Sequence, residues 1–196
     1  MKPGEIGCYA SHLGVWQKIE AAGYEAALVL EDDAVLSDDF AQTIDEALAA
    51  APAGWDFILL CGKTDRAERH LTRLPCERSL VRYSRIPGTT TGYLISASGA
   101  KKLLNPCLTR IWLVDWDTRM PWVFEMDTYG VSPPAVRANK EFESTIGKKG
   151  GRSRLRTGLP RPTAHSWTSN PIRTPASFMF NLRKLGIAWW LRCFVR

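Results

Sequence analysis

Apolar residues near the N-terminus recur at the spacing of a helix. Over residues 3–22 they mark one helical face, which carries Ile6, Ala10, Leu13, Trp16 and Ile19. Pro3 suits the first turn of such a helix, and Gly23 predicts its C-terminal end. An unbroken apolar run at residues 26–30 and a second segment at 56–61, which is apolar after Asp56, predict buried strands.

The rest of the first 136 residues alternates between helical and extended patterns. Ser37 is expected to cap a helix, with Asp38 and Asp39 in its first turn, that runs to Pro52. Further segments are predicted as an edge strand at 80–83, a strand at 89–96, a helix at 98–104 and a last strand at 129–136 that two prolines interrupt. This alternation predicts an α/β sandwich with a largely parallel sheet, in which ligands bind at the carboxyl ends of strands.

Three consecutive acidic residues, Glu31, Asp32 and Asp33, follow the first predicted strand directly. Adjacent carboxylates repel one another, and a divalent cation that also binds a phosphate would remove this cost. If the chain is extended, Glu31 and Asp33 point to one side and Asp32 to the other. We therefore expect Asp33, with Glu31, to bind Mn²⁺ or Mg²⁺. The alternative is a solvated turn that caps the next helix.

Charge divides the chain into two parts. Residues 1–136 contain 13 Lys and Arg against 18 Asp and Glu, whereas residues 137–196 contain 13 against 2. The basic part also carries four prolines between residues 160 and 175. We predict a domain over residues 1–146 and a basic tail over 147–196 that has an anionic partner, without any recognised nucleic-acid-binding motif.

The composition narrows the class of protein further. Apolar residues make up 45% and charged residues 23%, which is typical of a folded domain rather than a disordered chain. Five cysteines are scattered without a CxxC pair, so we predict neither a disulfide framework nor a zinc site. We see no signal peptide and no apolar run long enough to cross a bilayer, and we expect a cytoplasmic location.

Several motifs resemble glycosyltransferase family 25 when they are taken in order. They are residues 3–13 (Pro-Gly-Glu-Ile-Gly-Cys-Tyr-Ala-Ser-His-Leu), residues 28–36 (Leu-Val-Leu-Glu-Asp-Asp-Ala-Val-Leu), residues 92–96 (Gly-Tyr-Leu-Ile-Ser), Gly99 with Ala100, and the Asp-Trp-Asp of residues 115–117. The resemblance spans residues 3–146. The family includes bacterial lipo-oligosaccharide β-1,4-galactosyltransferases and enzymes that modify hydroxylysine in collagen.

The resemblance implies a GT-A-like fold, a three-layer sandwich that binds a nucleotide-diphospho-sugar. It also implies a UDP-sugar donor, often UDP-galactose, and a divalent metal that is typically Mn²⁺. The family's DxD-type motif corresponds to Glu31, Asp32 and Asp33. The resemblance also implies an inverting hexosyltransferase that acts on a lipopolysaccharide or lipo-oligosaccharide acceptor.

The N-terminus departs from the family pattern. Family members begin with a strand and an Asn-Leu-Asp-type segment that helps to hold the nucleotide, whereas this sequence opens on the motif at residue 3. We expect a GT-A-like fold that is truncated at its N-terminus, with an exposed sheet edge and fewer donor contacts. The alternative function is therefore an impaired or accessory protein that binds sugar nucleotide or glycan without turnover.

Further side chains are predicted to contact the donor. His12, on the first helix, is expected to face the donor, and the alternatives are a helix cap or a hydrogen bond to a loop. Thr90 and Gly92 could offer a hydroxyl and a close backbone approach to phosphate or sugar, and Asp32 could contact ribose or sugar hydroxyls. For the threonine the alternative is an ordinary β-branched position at the start of a strand.

An inverting transferase also needs a carboxylate that accepts the proton of the acceptor hydroxyl. We predict Asp115 or Asp117 for this role, because both point the same way if the segment is extended. A helix cap or an ion pair with Arg119 is the alternative. Nearby tryptophans either stack on acceptor sugars or belong to the core: Trp112, Trp116 and Trp122.

The tail supplies two more predictions. His165 is a possible third metal ligand, although a loop histidine without a role is the alternative. Residues 177–196 mix Trp and Phe with Lys and Arg, which favours an interfacial helix on an anionic membrane over a helix that packs on the domain. We expect a peripheral protein on the inner face of the cytoplasmic membrane, beside a glycolipid acceptor.

Overall fold

The computed structural model describes residues 1–64, 66–105, 112–139, 179–180 and 183. The helices of residues 1–139 are α1 (Pro3–Ala22), α2 (Phe40–Ala50), α3 (Ala97–Leu103), α4 (Val114–Asp117) and α5 (Pro121–Phe124). The strands are β1 (Ala26–Leu30), β2 (Ala34–Leu36), β3 (Phe57–Leu59), β4 (Glu68–Arg73), β5 (Ser79–Tyr83), β6 (Gly92–Ser96), β7 (Thr128–Ser132) and β8 (Val136–Ala138).

The main sheet has six strands in the order β1-β6-β3-β7-β5-β4, and β2 pairs with β8 in a separate ribbon. Only the β3–β7 pairing of the main sheet is parallel, and the other four are antiparallel. The α/β class is thus confirmed, but the expectation of a largely parallel sheet is wrong. An unbroken apolar run carries no information on the direction of a strand. The predicted burial holds for β3, but it is wrong for β1, in which Val29 alone is buried.

Several predicted elements are confirmed. Helix α1 ends where Gly23 adopts a left-handed conformation with φ 67°, and its backbone N–H closes the last turn on Glu20. Strand β1 covers the whole first apolar run. Helix α3 begins where the Ser96 hydroxyl accepts a hydrogen bond from Gly99 N–H at 3.0 Å.

Other elements differ from the predictions. The segment at 80–83 forms β5 in the interior of the sheet, because the unpredicted strand β4 takes the edge beside it. Ser37 does not cap α2; its hydroxyl instead accepts a hydrogen bond from Arg78 at 3.0 Å. The last predicted strand is divided into β7 and β8 on either side of a cis Ser132–Pro133 bond.

The core lies on both faces of the central strands. All three residues of β3 and the first four of β6 are buried. Trp16 of α1 is fully buried, and the ring of Tyr93 in β6 stacks on Phe57 of β3 at 4.6 Å between centroids. Strand β1 is less protected, since Leu28 and Leu30 remain 40% and 38% exposed.

The sheet topology brings three strand ends together at one edge. Leu30 of β1 pairs with Gly92 of β6, and Leu60, just after β3, donates its N–H to the Gly92 carbonyl at 3.0 Å. The carboxyl ends of β1 and β3 therefore meet the start of β6. Among the described residues, no helix combines the length and the apolar character that a bilayer span requires.

Candidate active site

The acidic residues form a tight turn directly after β1. Ala34 N–H donates to the Glu31 carbonyl at 3.1 Å, and Glu31 N–H donates to the Thr91 carbonyl at 3.0 Å. Asn139 N–H, after β8, donates to the Asp33 carbonyl at 2.8 Å. The premise of an extended triplet with alternating side chains is therefore wrong, because the backbone folds back after Glu31.

Glu31 is held by side chains from two other segments. Its Oε1 accepts a hydrogen bond from the Thr90 hydroxyl at 2.6 Å and lies 3.4 Å from His12 Nε2, while its Oε2 accepts from the Thr91 hydroxyl at 3.3 Å. Burial alone would raise the pKa of Glu31, but the hydrogen bonds from His12, Thr90 and Thr91 outweigh it and hold that pKa below its ordinary value. Glu31 is thus an anion fixed in place by its neighbours.

Asp33 has the opposite environment. Its Oδ1 is buried and has no hydrogen-bond partner. Burial raises the pKa of Asp33, and the negative charges of Glu31 and Asp32 raise it further. A buried, unpartnered carboxylate oxygen is costly, and a divalent cation with a preference for oxygen would supply the missing partner. Asp32 is exposed at the tip of the turn, so the residues present fit such an ion.

His12 connects the acidic turn to the core. It is 5% exposed, and its Nδ1 lies 2.8 Å from the Tyr93 hydroxyl, which also accepts a hydrogen bond from Trp16 Nε1 at 3.0 Å. The His12 ring stacks against Tyr93 at 5.7 Å between centroids. The structure thus places His12 beside Glu31. Its contacts with Glu31 and Tyr93 are sufficient to explain why a histidine lies there, without a donor contact.

Thr90 and Gly92 lie beside the same turn, with different surroundings. The Thr90 hydroxyl donates its hydrogen bond to Glu31. Gly92 is buried in β6, its N–H donates to Cys61 Sγ at 3.3 Å, and a Cβ there would lie 3.0 Å from the Val136 side chain. Packing against Val136 and Leu30 explains the glycine, so its predicted contact with a donor stays a prediction.

Cys8 belongs to the site, although the sequence reasoning did not select it. One ligand atom each of Cys8, His12 and Glu31 can be chosen so that all lie within 4.8 Å of one another. Burial raises the pKa of the Cys8 thiol, and the charges of Glu31 and Asp115 raise it further. The four-residue spacing of Cys8 and His12 on α1 was the available signal, because it places both on one face of a helix.

Asp115 lies close enough to this cluster to interact with it electrostatically. It is half-buried in α4, and burial raises its pKa, with a contribution of the same sign from Glu31 and an opposing one from Arg119. Arg119 donates from Nε to the Ile86 carbonyl at 3.1 Å. Asp115 is therefore a carboxyl group with an increased affinity for a proton beside the acidic turn.

Asp117 lies elsewhere. It is 4% exposed and accepts a short hydrogen bond from the Tyr9 hydroxyl, which ties α4 to α1. The expectation that Asp115 and Asp117 share a direction is wrong, because residues 114–117 are helical and residues two apart point to different sides of a helix. The structure therefore separates the two carboxylates that the sequence grouped.

Tryptophan side chains flank Asp115. Trp112 is 40% exposed and stacks on Trp116 at 5.5 Å between centroids, and Arg119 lies over the Trp116 ring at 5.4 Å. The half-buried Trp122 instead lies 6.4 Å from the Phe180 ring. The exposed Trp112 thus stacks on the half-buried Trp116, which follows Asp115 in the chain. His165 and most of the basic tail fall outside the described residues.

Comparison with known proteins places these residues in a family. Residues 1–120 match the model of glycosyltransferase family 25, described as an LPS biosynthesis protein. Procollagen galactosyltransferase 1-B of Xenopus laevis is 39% identical over 105 residues, which are 52% of this chain and 17% of that protein. A glycosyltransferase 25 family member of Aedes aegypti is 39% identical over 108 residues, 54% of this chain and 17% of that protein.

A further relative carries a different description. An inactive glycosyltransferase 25 family member 3 of Mus musculus is 30% identical over 112 residues, 52% of this chain and 17% of that protein. The chain thus spans about a sixth of the length of these curated relatives. Because the family model matches more than half of the chain, including Cys8, His12, the acidic turn and Asp115, the chain belongs to glycosyltransferase family 25.

Proposed function

We propose that this protein transfers a hexose, galactose in the first instance, from a UDP-sugar to a hydroxyl group of a glycan acceptor. Membership of family 25 and the galactosyltransferase name of the Xenopus laevis relative support the reaction class and the sugar. The observation that carries the proposal is the buried, unpartnered Asp33 Oδ1 at the carboxyl end of β1. A divalent cation would supply the partner that this buried oxygen lacks, and the same cation would bind the diphosphate of the donor.

In this proposal Asp33 is the principal ligand of Mn²⁺ or Mg²⁺. Glu31 is the second, through Oε2, which accepts the longer of the two threonine hydrogen bonds and keeps a lone pair. His165 stays a predicted third ligand. When bound, the ion supplies neutralisation of the charge on the diphosphate leaving group. The exposed Asp32 is assigned to hydroxyl groups of the ribose or the sugar.

Asp115 is the proposed general base. The acceptor O–H bond breaks, Asp115 takes the proton, the acceptor oxygen bonds to the anomeric carbon, and UDP leaves with the electron pair of the broken bond. Attack opposite the leaving group inverts the anomeric centre. The raised pKa of Asp115 supports the role, because it brings the proton affinity of a carboxylate closer to that required at neutral pH. Asp117 is already occupied by Tyr9.

The acceptor is proposed to be a glycolipid of the lipopolysaccharide type. The exposed Trp112 face, stacked on Trp116 beside Asp115, supports binding of a sugar ring by stacking. The basic tail over residues 147–196 is proposed to hold the protein on an anionic membrane on the cytoplasmic side, where such an acceptor is anchored.

Binding of the donor tests the proposal without knowledge of the acceptor. We expect titration calorimetry of the full chain with UDP-galactose and Mn²⁺ to show binding, and Asp33→Asn to abolish it. Asp38→Asn is the matched control, because it neutralises an exposed carboxylate five residues away and should bind as the wild type does. Absence of binding by the wild type, or unchanged binding by Asp33→Asn, would refute the metal-bridged donor site.

An impaired or accessory role is the second candidate, and the Mus musculus relative that is described as inactive favours it. The two roles differ in turnover. Transfer of labelled galactose from UDP-galactose can be measured with two acceptors: lipo-oligosaccharide that lacks its terminal galactose, and a collagen peptide that contains hydroxylysine. Labelling of either acceptor would establish a transferase and identify the acceptor class. Donor binding with neither transfer nor hydrolysis would establish the accessory role.

A further inference from the structure

We propose that Cys8, His12 and Glu31 form a binding site for a thiophilic divalent ion, with Zn²⁺ as the natural occupant. The site lies next to the proposed donor-metal ligand Asp33 and differs from it in chemistry. Its donors are a thiol sulfur, an imidazole nitrogen and one carboxylate oxygen, a set that zinc sites use with a fourth position open to water or substrate. The proposal does not depend on sugar-nucleotide binding.

The spacing of the donor atoms supports the site. All three can lie within 4.8 Å of one another, and His12 Nε2 is already 3.4 Å from Glu31 Oε1. Two ligands held at about 2.0–2.1 Å in tetrahedral geometry are about 3.4 Å apart. The nitrogen and the oxygen therefore need little movement, and the flexible Cys8 side chain has to close the remaining gap.

The positions of the ligands follow from rigid parts of the fold. Cys8 and His12 are one turn apart on α1, a helix that is fixed in the core by the fully buried Trp16. Tyr93 Oη accepts the Trp16 N–H, and it faces His12 Nδ1 at 2.8 Å. Such a partner on the second nitrogen orients a metal-binding histidine. For the ion to bind, the proton that His12 Nε2 donates to Glu31 has to move to Nδ1 or to the solvent. Nδ1–H then donates to Tyr93, and the Nε2 lone pair binds the ion.

Binding of the ion requires only proton movement. The Cys8 S–H bond breaks, its proton passes to the solvent, and a sulfur–metal bond forms without any oxidant. Glu31 exchanges its contact with His12 Nε2 for a bond to the ion. Thiolate favours Zn²⁺ over Mg²⁺ and Mn²⁺, whereas the oxygen of Asp33 favours the harder ions. Glu31 is a ligand in both proposed sites, so the two sites are adjacent. Cys8 and Asp33 make them selective for different ions.

Cobalt provides a direct test, because Co²⁺ bound to a thiolate absorbs in the near ultraviolet. We expect the metal-free, reduced full chain to develop this band with Co²⁺ alone, and Zn²⁺ to displace it. Cys8→Ser should abolish the band and His12→Gln should weaken it. Cys76→Ser is the matched control, because Cys76 is also half-buried and free and should leave the band unchanged.

Two results would overturn the site: no band in the wild type, or a band that persists in Cys8→Ser. Circular dichroism will show whether the variants are folded. If Cys8→Ser does not fold, X-ray absorption of the Zn²⁺-loaded wild type decides, since one sulfur and one imidazole in the first shell support the site. A shell of oxygen and nitrogen alone overturns it.

Discussion

Neighbouring carboxylates in the acidic turn have opposite environments, and their roles follow from this difference. Glu31 accepts hydrogen bonds from threonine hydroxyls, and its pKa is lowered, whereas Asp33 has a buried oxygen without a partner, and its pKa is raised. Glu31 therefore keeps the turn in place as a stable anion. Asp33 is the residue that gains most from a bound cation.

Removal of the Tyr93 hydroxyl should destabilise the fold. Tyr93→Phe leaves the buried Trp16 Nε1–H and His12 Nδ1 without their shared partner, and each lost buried hydrogen bond costs about 1–3 kcal/mol. We expect urea unfolding to show a loss of this size. Tyr24→Phe is the control, because Tyr24 is 53% exposed. Equal stability of the two variants would argue against the Tyr93 hydroxyl as a structural centre.

Helix α3 lies unusually close to strand β3. Gly99 faces the Asp56 backbone, where an added Cβ would be 2.3 Å from the carbonyl oxygen. The fully buried Asp56 side chain accepts hydrogen bonds from Lys102 Nζ of α3 and from Asp127 N–H, both at 2.7 Å. The helix is therefore docked by a close backbone contact together with an ion pair between the buried Asp56 and the partly exposed Lys102.

Gly99→Ala should consequently lower stability. The new methyl group forces α3 away from β3, and overpacking of this kind costs roughly 1–3 kcal/mol. Gly14→Ala is the matched control, because Gly14 lies inside α1 with nothing within 4 Å of its added Cβ. That change should raise the thermal midpoint slightly, since alanine favours helix by up to about 1 kcal/mol. A destabilised Gly14→Ala or an unaffected Gly99→Ala would contradict this packing.

Arg78 connects elements that are distant in sequence. Its guanidinium donates to both oxygens of Asp39, at 3.1 and 2.7 Å, and to the carbonyl groups of Pro133 and Pro134 at 2.7 and 2.9 Å. These bonds join the start of α2 to the segment between β7 and β8. Hydrogen bonds from Arg78 and Ser37 lower the pKa of Asp39 from 3.8 to about 2.

The contact between Arg78 and Asp39 should make the free energy of unfolding depend on pH. Because the pKa of Asp39 is lower in the folded state, its stabilising effect is complete above pH 3.8 and is lost as the pH falls towards 2. Arg78→Lys cannot form the forked contact, so the loss of stability over that range should become smaller. Urea unfolding at several pH values measures it, with the exposed Arg73→Lys as control. Parallel curves for both variants would contradict the assignment.

The sequence predicted elements better than it predicted contacts. Gly23 and the apolar run after it were sufficient to locate α1 and β1, because caps and runs are local signals. Strand β2 has only three residues and strand β4 is mostly exposed, so neither carries an apolar run as long as that of β1, and both were missed. The contacts of Glu31 come from residues 59 and 60 positions away, so only the tertiary fold shows that Thr90 and Thr91 bind it.

At the scale of the whole molecule, the sheet ends in two different edges. Strand β4 is polar, whereas β1 pairs with β6 alone among the described strands and exposes Leu28 and Leu30. An apolar edge strand offers unpaired backbone groups and side chains to any other strand.

We therefore expect the chain to self-associate as its concentration rises, and Leu28→Lys to reduce this. The added charge opposes strand pairing at the edge. Leu48→Lys is the matched control, because Leu48 is 38% exposed on helix α2 and is not part of the edge strand, so it should leave association unchanged. Sedimentation velocity over a concentration series measures both. An equal effect of the two substitutions would show that net charge, not the edge, controls association.

The bond between Asn139 N–H and the Asp33 carbonyl, at 2.8 Å, has a consequence for the remainder of the chain. It fixes the origin of the basic segment at the acidic turn. Covalent geometry alone keeps the Cα of Lys148, nine residues later, within about 32 Å of Asn139. This limit allows the first lysines of the basic tail to approach an anion that is bound at Asp33. If they do, added salt should weaken the binding of that anion more than it weakens the fold.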